Sequence, residues 1–403
     1  MKLFPKILSA VLASVACSFA ALAAVEVEDE AYYAKFRDQG ISLNVYNWGE
    51  YISDGTEDSM DVVKEFEAVS GINVNYTMYD TNEDMYAKIT GGGSQYDIII
   101  PSDYMIARLI AEDRLEKLDY ANIPNVANLE ERFLKPEFDP EGAYSVPYTW
   151  NLVGLVYNTK YITPEKAQSW NILWDEDYKG KVLMFGNSRD AYGIALSLLG
   201  YSLNTENLAE LQEATDLLTA QKKVNQMYAM DQTFDKMANE NAYAAPYYAG
   251  DCVTMMERND DLAFSYPKEG VNEFIDAICI PKGTKNKEAA EAFINFLCEK
   301  EVAAANCEFI SYFSPLKEEI IEEMGLEYDE RIDPTINPPE KTETFTMLGD
   351  EANSFMENNW LKIKRTSGFD SPIYTLAIVL ILALVIFLIL YIFRKRKKRQ
   401  YDV

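Results

Sequence analysis

The chain has 403 residues, of which 48% are hydrophobic, and a formal net charge of −28 at pH 7. This length allows two or three domains, and the acidity argues against nucleic acid as a partner, because phosphate binding needs clustered Lys and Arg. The sequence contains no His, which excludes Ser-His-Asp and Cys-His catalysis as well as His-ligated zinc.

Residues 1–23 have the pattern of a secretory signal. Lys2 and Lys6 precede a weakly apolar stretch at 7–20, and the small residues at 21–23 suit a signal peptidase. We therefore expect the body of the protein to be exported. Two alternatives stay open, namely an uncleaved anchor and a lipoprotein signal at Cys17.

The exported body begins with an alternation of strands and helices. In chain order, apolar spacing predicts a strand at 41–48, a helix at about 57–69, a strand at 72–76, a helix at 82–90 and a strand at 96–101. This βαβαβ order predicts an α/β fold with a mostly parallel sheet. Ligands of such sheets bind at the carboxyl ends of the strands, where Trp48 and the turn at 101–104 fall.

The pattern restarts after Pro147 and predicts a second α/β unit in the middle of the chain. Further strands are predicted at 152–157, 181–185, 251–256 and 274–281. Further helices are predicted at 188–199 with Ser188 as a cap, at about 207–221, at 232–239, within 286–308 and at 348–363.

The C-terminal region has the pattern of a membrane anchor. The stretch 373–393 contains no charged residue and is long enough, at ~1.5 Å per residue, to span a bilayer core of ~30 Å. The basic run at 394–400 follows directly, and such runs remain cytoplasmic. The sequence thus predicts a single-pass cell-membrane protein with an extracytoplasmic body and a cytoplasmic tail at 394–403. A buried soluble helix is the alternative.

Sequence motifs for metal or cofactor chemistry are missing. The cysteines after the signal are widely spaced without a CxxC pair, so the disulfide state stays open. The chain carries no phosphate-binding loop and no calcium loop. We therefore predict no metal, no cofactor and no catalytic residues.

The stretch YNWGEYI at 46–52 brings an indole and a carboxylate to the end of the first predicted strand. A neutral ligand needs the ring more than the charge, and an inorganic cation needs the charge without the ring. An organic cation needs both.

Several motifs, in order, resemble a known family: YNWGEYI, NEDMYAKI, YDIIIPSDYM, YSVPYTW, WDEDYKGKVLM, YPKEG and IPKGTKNKEAAEAFINFL. They are similar to the extracytoplasmic spermidine/putrescine-binding proteins of bacterial ABC importers, over residues 41–364. The resemblance implies a two-lobed periplasmic-binding-protein-like fold of type II with a polyamine in the cleft. It places 41–146 and 274–313 in lobe 1, and 147–273 and 314–364 in lobe 2. It also implies a membrane permease and its ATPase subunits as partners.

The resemblance also implies which residues bind the ligand: Trp48, Glu50, Tyr51, Ser102, Tyr104, Asn187, Asp190, Phe274, Asp276 and Tyr312. Asp276 matches the family carboxylate that holds an ammonium, and Phe274 matches an aromatic wall position that is often Trp. Asn187 stands where some members carry a second Asp, so the choice between spermidine and putrescine stays open. The carboxylates would offset the desolvation of each ammonium, and the rings would cover the methylenes.

Other interpretations stay open at this point. Trp48 could be a core residue, Asp276 part of a structural ion pair, and Asp190 a partner of a helix dipole. The chain could bind another cationic or small organic solute, or serve as an adhesin. It could also be a secreted glycoside hydrolase that uses a pair such as Glu50 and Asp276.

Overall fold

The structure is a computed structural model that describes residues 25–92, 95–365 and position 380. The predicted signal at 1–23 and the basic tail at 394–403 lie outside the described residues, as does the predicted membrane segment at 373–393 except for Leu380. Within the part of the chain that is described, no helix is long and apolar enough to cross a membrane.

The described residues form one connected set of strands with helices between them. The strands are β1 Ser42–Trp48, β2 Asn73–Tyr79, β3 Ile98–Ile99, β4 Ser145–Asn158, β5 Val182–Phe185, β6 Asn225–Ala229, β7 Ala244–Tyr248, β8 Leu262–Ser265, β9 Val271–Cys279 and β10 Thr342–Glu343. The α-helices are α1 Glu30–Ala34, α2 Val62–Ser70, α3 Asn82–Thr90, α4 Asp103–Ala111, α5 Glu131–Leu134, α6 Pro164–Ala167, α7 Ser188–Leu199, α8 Leu208–Gln221, α9 Gln232–Ala238, α10 Ala249–Arg258, α11 Lys287–Leu297, α12 Lys300–Ile310, α13 Glu318–Met324 and α14 Asp350–Arg365.

The strand order is β2-β1-β3-β9-β4-β7-β5-β6, with β10 beside β9 and β8 beside β4. The long strand β4 connects two halves of the sheet, because residues 145–152 pair with β9 and residues 153–158 pair with β7 and β8. β1 pairs in parallel with β2 and β3, and β5 pairs in parallel with β6 and β7. β9 is antiparallel to β3 and β4, and β7 and β8 are antiparallel to β4. The predicted mostly parallel sheet is therefore mixed.

Local sequence signals fix where several helices begin and end. The Asp61 side chain accepts a hydrogen bond from the Lys64 amide at the start of α2, and Gly71 ends that helix with a left-handed φ of 73°. The cap of α7 is Asn187 rather than Ser188, since the Asn187 side chain accepts from the Asp190 amide. The predicted cap was wrong by one residue.

One predicted strand was wrong in type. Residues 251–256 belong to α10, and the strand of this region, β7, lies just before it. The buried residues Cys252, Val253, Met255 and Met256 form one face at helical spacing. A short apolar run of this kind does not distinguish a buried strand from a buried helix.

The core consists of a large apolar cluster and a smaller one around Tyr46, Met85 and Ile99. The cysteines Cys252, Cys279, Cys298 and Cys307 are all buried and free. Burial raises the pKa of the Cys252 and Cys279 thiols well above the usual range. These residues pack as small apolar side chains rather than as disulfides or reactive thiolates.

Candidate functional site

A cavity lies at the carboxyl ends of strands from both halves of the sheet. Trp48, Tyr79 and Tyr248 are the last residues of β1, β2 and β7, while Ser102 follows β3 and Asn187 follows β5. The cavity holds about 690 Å³ of space, part of it open to solvent. Its walls consist of Trp48, Gly49, Tyr51, Tyr79, Asp80, Asn82, Ser102, Asp103, Tyr104, Asn187, Asp190, Met230, Asp231, Tyr247, Tyr248, Asp251, Asn272, Phe274, Asp276, Tyr312 and Phe345.

Asp276 is the most constrained carboxylate of this cavity. It lies on β9 opposite Thr149 of β4, and only 4% of its surface is exposed. Tyr51 donates a hydrogen bond of 2.7 Å from its hydroxyl to Asp276 Oδ2. The other oxygen, Oδ1, is buried and accepts no hydrogen bond from any residue in the described ranges. A buried acceptor of this kind is available to a donor from a ligand.

The environment of Asp276 raises its pKa to about 6. Burial is the largest cause, because it removes water from the charged form, and the charge of Asp190 acts in the same direction. The nearby Ser102 side chain and the hydrogen bond from Tyr51 lower the pKa and offset part of this effect. The ionised carboxylate of Asp276 is therefore buried in the cavity wall without a positively charged partner.

A second carboxylate, Asp103, lies next to Ser102 and is fully buried. It accepts hydrogen bonds from the amides of Tyr104 at 2.6 Å and Ile275 at 3.4 Å. Burial raises the pKa of Asp103 well above its usual range, and the charge of Asp276 adds to that rise. Asp103 thus connects the start of α4 with β9 at Ile275, the residue before Asp276.

Asp190 provides a carboxylate from the other half of the sheet. It lies in the first turn of α7, and its Oδ2 accepts from Asn187 Nδ2 at 2.7 Å and from the Tyr248 hydroxyl at 3.0 Å. Burial raises the pKa of Asp190, whereas both hydrogen bonds and the charge of Arg189 lower it. Asp190 thus lines the cavity and also holds the side chain of Asn187, the residue that caps α7.

Two further acidic residues line the same half. Asp251 Oδ2 accepts a hydrogen bond of 3.2 Å from the Tyr312 hydroxyl, and burial raises the pKa of Asp251 well above its usual range. Asp231 Oδ1 accepts from the Tyr247 hydroxyl at 3.5 Å. None of the ion pairs formed among the described residues includes a carboxylate that lines the cavity.

Aromatic rings cover the space between these carboxylates. Trp48 packs on Tyr79 with ring centroids 4.5 Å apart, and its indole nitrogen donates to the Ile100 carbonyl at 2.9 Å. Tyr312, another ring of the lining, meets Tyr51 with centroids 4.8 Å apart and Phe274 with centroids 6.3 Å apart. Such rings attract a cation through their faces and also cover apolar groups.

The predicted binding residues were mostly brought together. All of them except Glu50 line the cavity. Glu50 is exposed and has a left-handed φ of 49°, so the turn after β1 directs Tyr51 inward and leaves Glu50 outside the lining. Trp48 and Asp276, which lie far apart in the sequence, contribute to the same walls.

Sequence reasoning missed several wall residues. Tyr248 and Asp251 were missed because the strand of this region was predicted at 251–256, whereas β7 ends at Tyr248. The same rule that located Trp48, a strand followed by a turn, would have found them once β7 was placed at its true position. Tyr79 and Asp80 end β2 in the same way. Phe345 had no such signal, since it follows a strand of two residues.

No group of three or more acidic or Cys side chains among the described residues has the arrangement of a metal site. The cavity instead combines dispersed carboxylates with rings, which suits a ligand that carries several separate positive charges on an apolar frame. The fold and this site define a binding protein whose α/β sheet holds a small ligand between two walls.

Comparison with known proteins identifies the family. The model of the family described as bacterial extracellular solute-binding protein matches residues 61–324, so the chain belongs to this family and has its α/β periplasmic-binding-protein-like fold. The spermidine/putrescine-binding periplasmic protein of Escherichia coli is 31% identical over 283 residues, which cover 70% of this chain and 80% of that one. A putrescine-binding periplasmic protein of Pseudomonas aeruginosa is 30% identical over 350 residues, covering 80% and 91%.

Solved structures agree with this assignment. A protein from Listeria monocytogenes superposes with a TM-score of 0.73 at 35% identity, covering 80% of this chain and 98% of that chain. The substrate-binding protein of a spermidine/putrescine ABC transporter from Streptococcus pneumoniae superposes with a TM-score of 0.63 at 33% identity, covering 81% and 99%.

Proposed function

We propose that this protein is an extracytoplasmic receptor for polyamines, such as spermidine and putrescine, and that it delivers them to the membrane permease of an ATP-driven importer. The observation that carries the proposal is the unpaired, buried Oδ1 of Asp276 in a cavity lined by rings and further carboxylates. The names of the similar proteins support the same ligand class. The protein releases its ligand unchanged and is not an enzyme.

The walls provide a distinct contact for each part of a polyamine. One ammonium meets Asp276, which is desolvated and preformed, and another meets the carboxylates of the opposite half, Asp190 and Asp251. Trp48 and Phe274 cover the methylenes and add a cation–π contribution of roughly 0.5–2 kcal/mol per close contact. Since micromolar affinity needs only about −8 kcal/mol, a few such contacts suffice after the cost of association.

The two-lobed type II arrangement is part of this proposal. Lobe 1 comprises 41–146 and 274–313, and lobe 2 comprises 147–273 and 314–364. The partner change within β4 supports two units but favours a boundary near 152/153. Contacts of α14 with α7 and α8 support the return of the chain to lobe 2 at its end.

We also propose that residues 373–393 anchor the body to the cell membrane, where tethering keeps it close to its permease at high effective concentration. The full chain should sediment with membranes, and a chain that ends at Arg365 should stay in the soluble fraction and bind the same ligand. Equal partitioning of the two proteins would contradict the anchor.

Calorimetric titration with putrescine and spermidine tests the ligand class. We expect saturable binding of both amines and no binding of 1,4-butanediol, which has the same carbon chain without charge. A panel of amino acids tests the alternative of another small solute, and mass spectrometry of the ligand after incubation tests turnover. Binding of neutral solutes in preference to amines, or chemical conversion of the ligand, would overturn the proposal.

The pKa of Asp276 predicts a pH dependence. Because this pKa is about 6 without a ligand, a cation that needs the ionised form must displace a proton below pH 6, while aliphatic amines remain charged. We expect the dissociation constant for putrescine to be about tenfold higher at pH 5 than at pH 7.5. The raised pKa values of Asp103, Asp190 and Asp251 act in the same direction. Equal affinity at both pH values would show that Asp276 does not hold the amine.

The raised pKa of Asp276 also predicts that the unliganded protein becomes less stable as the pH rises, whereas its affinity for the amine increases. A carboxyl whose pKa is raised in the folded state stabilises that state fully below its unfolded value of 3.8. This contribution is lost as the pH rises through about 6. The ligand therefore stabilises the folded protein most above about pH 6, where the ionised Asp276 destabilises the unliganded protein most.

A further inference from the structure

Thr149 is buried next to the ligand cavity without lining it. It belongs to β4, pairs with Asp276 of β9 and has no exposed surface. The cavity lining includes Tyr51 and Asp276 but not Thr149. The Thr149 hydroxyl forms a hydrogen bond with the Tyr51 hydroxyl and with no other group among the described residues. A fully buried hydroxyl thus has a residue of the cavity wall as its partner.

The number of protons fixes the direction of the hydrogen bonds at Tyr51. A Tyr hydroxyl carries one proton, and Tyr51 donates it to Oδ2 of Asp276 at 2.7 Å. In the bond between Thr149 and Tyr51, the Thr149 hydroxyl must therefore be the donor. Both protons thus point toward the carboxylate, while its Oδ1 receives neither of them.

A bulge in β4 brings two consecutive residues into contact with Tyr51. The register of β4 against β9 shifts between Pro147 and Thr149, and bulges of this kind re-aim side chains next to functional sites. The Tyr148 hydroxyl donates to the Tyr51 carbonyl at 2.7 Å, and the Thr149 hydroxyl donates to the Tyr51 hydroxyl. Consecutive side chains of a regular strand point to opposite faces. The irregular strand therefore holds Tyr51 at both its backbone and its hydroxyl.

The hydrogen bond from Thr149 acts on Asp276 through Tyr51. Burial and the charge of Asp276 raise the pKa of Tyr51, whereas the bond from Thr149 lowers it. A more acidic hydroxyl is a stronger donor, and hydrogen bonds to an ionised acceptor are stronger than those to a neutral one. Hydrogen bonds in a chain also strengthen one another. Thr149 therefore stabilises the carboxylate of Asp276 more than the neutral carboxyl.

We propose that Thr149 is a positioning residue for the ligand: its hydroxyl directs the Tyr51 proton to Oδ2 of Asp276, which keeps the carboxylate ionised and leaves Oδ1 for an ammonium. This inference rests on the proposed polyamine function. It assigns a role to a residue that lies outside the cavity lining.

Other titratable groups face Asp276 from the elements packed around it. Besides Tyr51, they are Tyr79 of β2, Asp103 of α4, Asp190 of α7, Asp251 of α10 and Tyr312 after α12. The guanidinium of Arg189 acts on Asp103 and Asp190. Within the described ranges, none of these groups forms a hydrogen bond with Thr149. Removing the Thr149 hydroxyl therefore affects Asp276 through Tyr51.

The test is calorimetric titration of the full chain with putrescine at pH 6 and pH 8. The affinity of the wild-type protein is expected to fall through about pH 6, the pKa of Asp276. In Thr149→Val, which removes the hydroxyl but keeps the side-chain volume, we expect this midpoint to rise by about one pH unit, which corresponds to one hydrogen bond. The dissociation constant should be about fivefold above the wild-type value at pH 6 and nearly equal to it at pH 8.

Matched variants separate positioning from a structural role. Thr149→Ser retains the hydroxyl and should keep the pH profile of the wild type. Thr215→Val removes the hydroxyl of another buried pair, in which Thr215 of α8 lies 2.6 Å from the Tyr192 hydroxyl of α7, and should lower stability without moving the midpoint. Thr149→Ala, which also removes the hydroxyl, decides the question if the valine variant does not fold.

Thermal unfolding of the unliganded protein provides a measurement that needs no ligand. The contribution of Asp276 to stability is lost as the pH rises through its folded pKa of about 6. In Thr149→Val this loss should occur at a higher pH than in the wild type. The difference between the two curves isolates the change at Asp276, because the other carboxyls titrate in both proteins.

The possible failures can be told apart. If the wild-type protein binds neither putrescine nor spermidine, the proposed function is wrong, and the role of Thr149 toward the amine is wrong with it. If the wild type binds amines but Thr149→Val keeps the wild-type midpoint, or loses affinity by the same factor at pH 6 and pH 8, Thr149 is not a positioning residue. A raised midpoint in Thr149→Ser would also overturn the proposal, since that variant retains the hydroxyl.

Discussion

Replacing Asp276 by Asn is expected to weaken polyamine binding by about a hundredfold or more, measured by calorimetry at pH 7.5. The substitution preserves the size of the side chain and removes the charge that an ammonium would meet in a desolvated place. Removing one member of a buried, hydrogen-bonded charge pair typically costs about 2–5 kcal/mol of binding free energy. A hundredfold loss of affinity corresponds to about 2.7 kcal/mol, which lies within this range.

The same substitution should raise the melting temperature of the unliganded protein by a few degrees at pH 7.5. Burial and the charge of Asp190 make the ionised Asp276 unfavourable when no cation is bound. Loss of binding together with a gain in stability distinguishes a binding residue from a structural one. The matched control is Asp260→Asn, which removes an exposed carboxylate and should change neither quantity. Lower stability with unchanged affinity would mean that Asp276 is structural.

Replacing Asp190 by Asn is expected to weaken binding by about thirtyfold, which corresponds to roughly 2 kcal/mol. The effect should be smaller than at Asp276, because Asp190 Oδ2 already accepts hydrogen bonds from Asn187 and Tyr248. Asp190 lies on α7, in the half of the sheet opposite Asp276. The substitution should therefore also reduce the ligand-induced decrease in radius of gyration, measured by small-angle X-ray scattering.

Asp216→Asn provides the control for this second variant. Asp216 is an exposed carboxylate on α8 in the same half, where it accepts a hydrogen bond from Gln212. It should leave both affinity and compaction unchanged. If Asp190→Asn binds and compacts like the wild-type protein, the ligand does not contact the α7 side, and Asp190 acts only at the helix terminus.

Much of the local structure could be predicted because it depends on near neighbours. Alternating apolar residues located β1 and β2, and helical spacing located α3, α8 and α9 within a few residues. The prediction of a strand at 251–256 was wrong because an apolar run gives no information about its backbone when both faces are buried. That error hid Asp251, although its position after a strand end would otherwise have marked it.

The rule that ligands bind at the carboxyl ends of strands located Trp48 and the turn at 101–104, but the rest of the predicted site depended on long-range information from the family resemblance. Asp276 and Tyr51 are separated by 225 positions, and no periodicity connects them. Phe345 and Asn272 had no local signal at all. The position of Glu50 outside the lining depended on the turn at this residue, whose φ is left-handed and which leaves Glu50 exposed while Tyr51 lines the cavity.

The sequence by itself determined the acidic, histidine-free chemistry, the order of most strands and helices, and the type of ligand that rings and carboxylates would suit. Only the tertiary structure decided which of the 65 acidic residues share one cavity and which oxygens remain unpaired. The physical reason is that secondary structure reflects interactions over a few residues, whereas a cavity forms where segments distant in sequence meet. Here β4 joins two halves of one sheet, and β9 returns beside it to place Asp276.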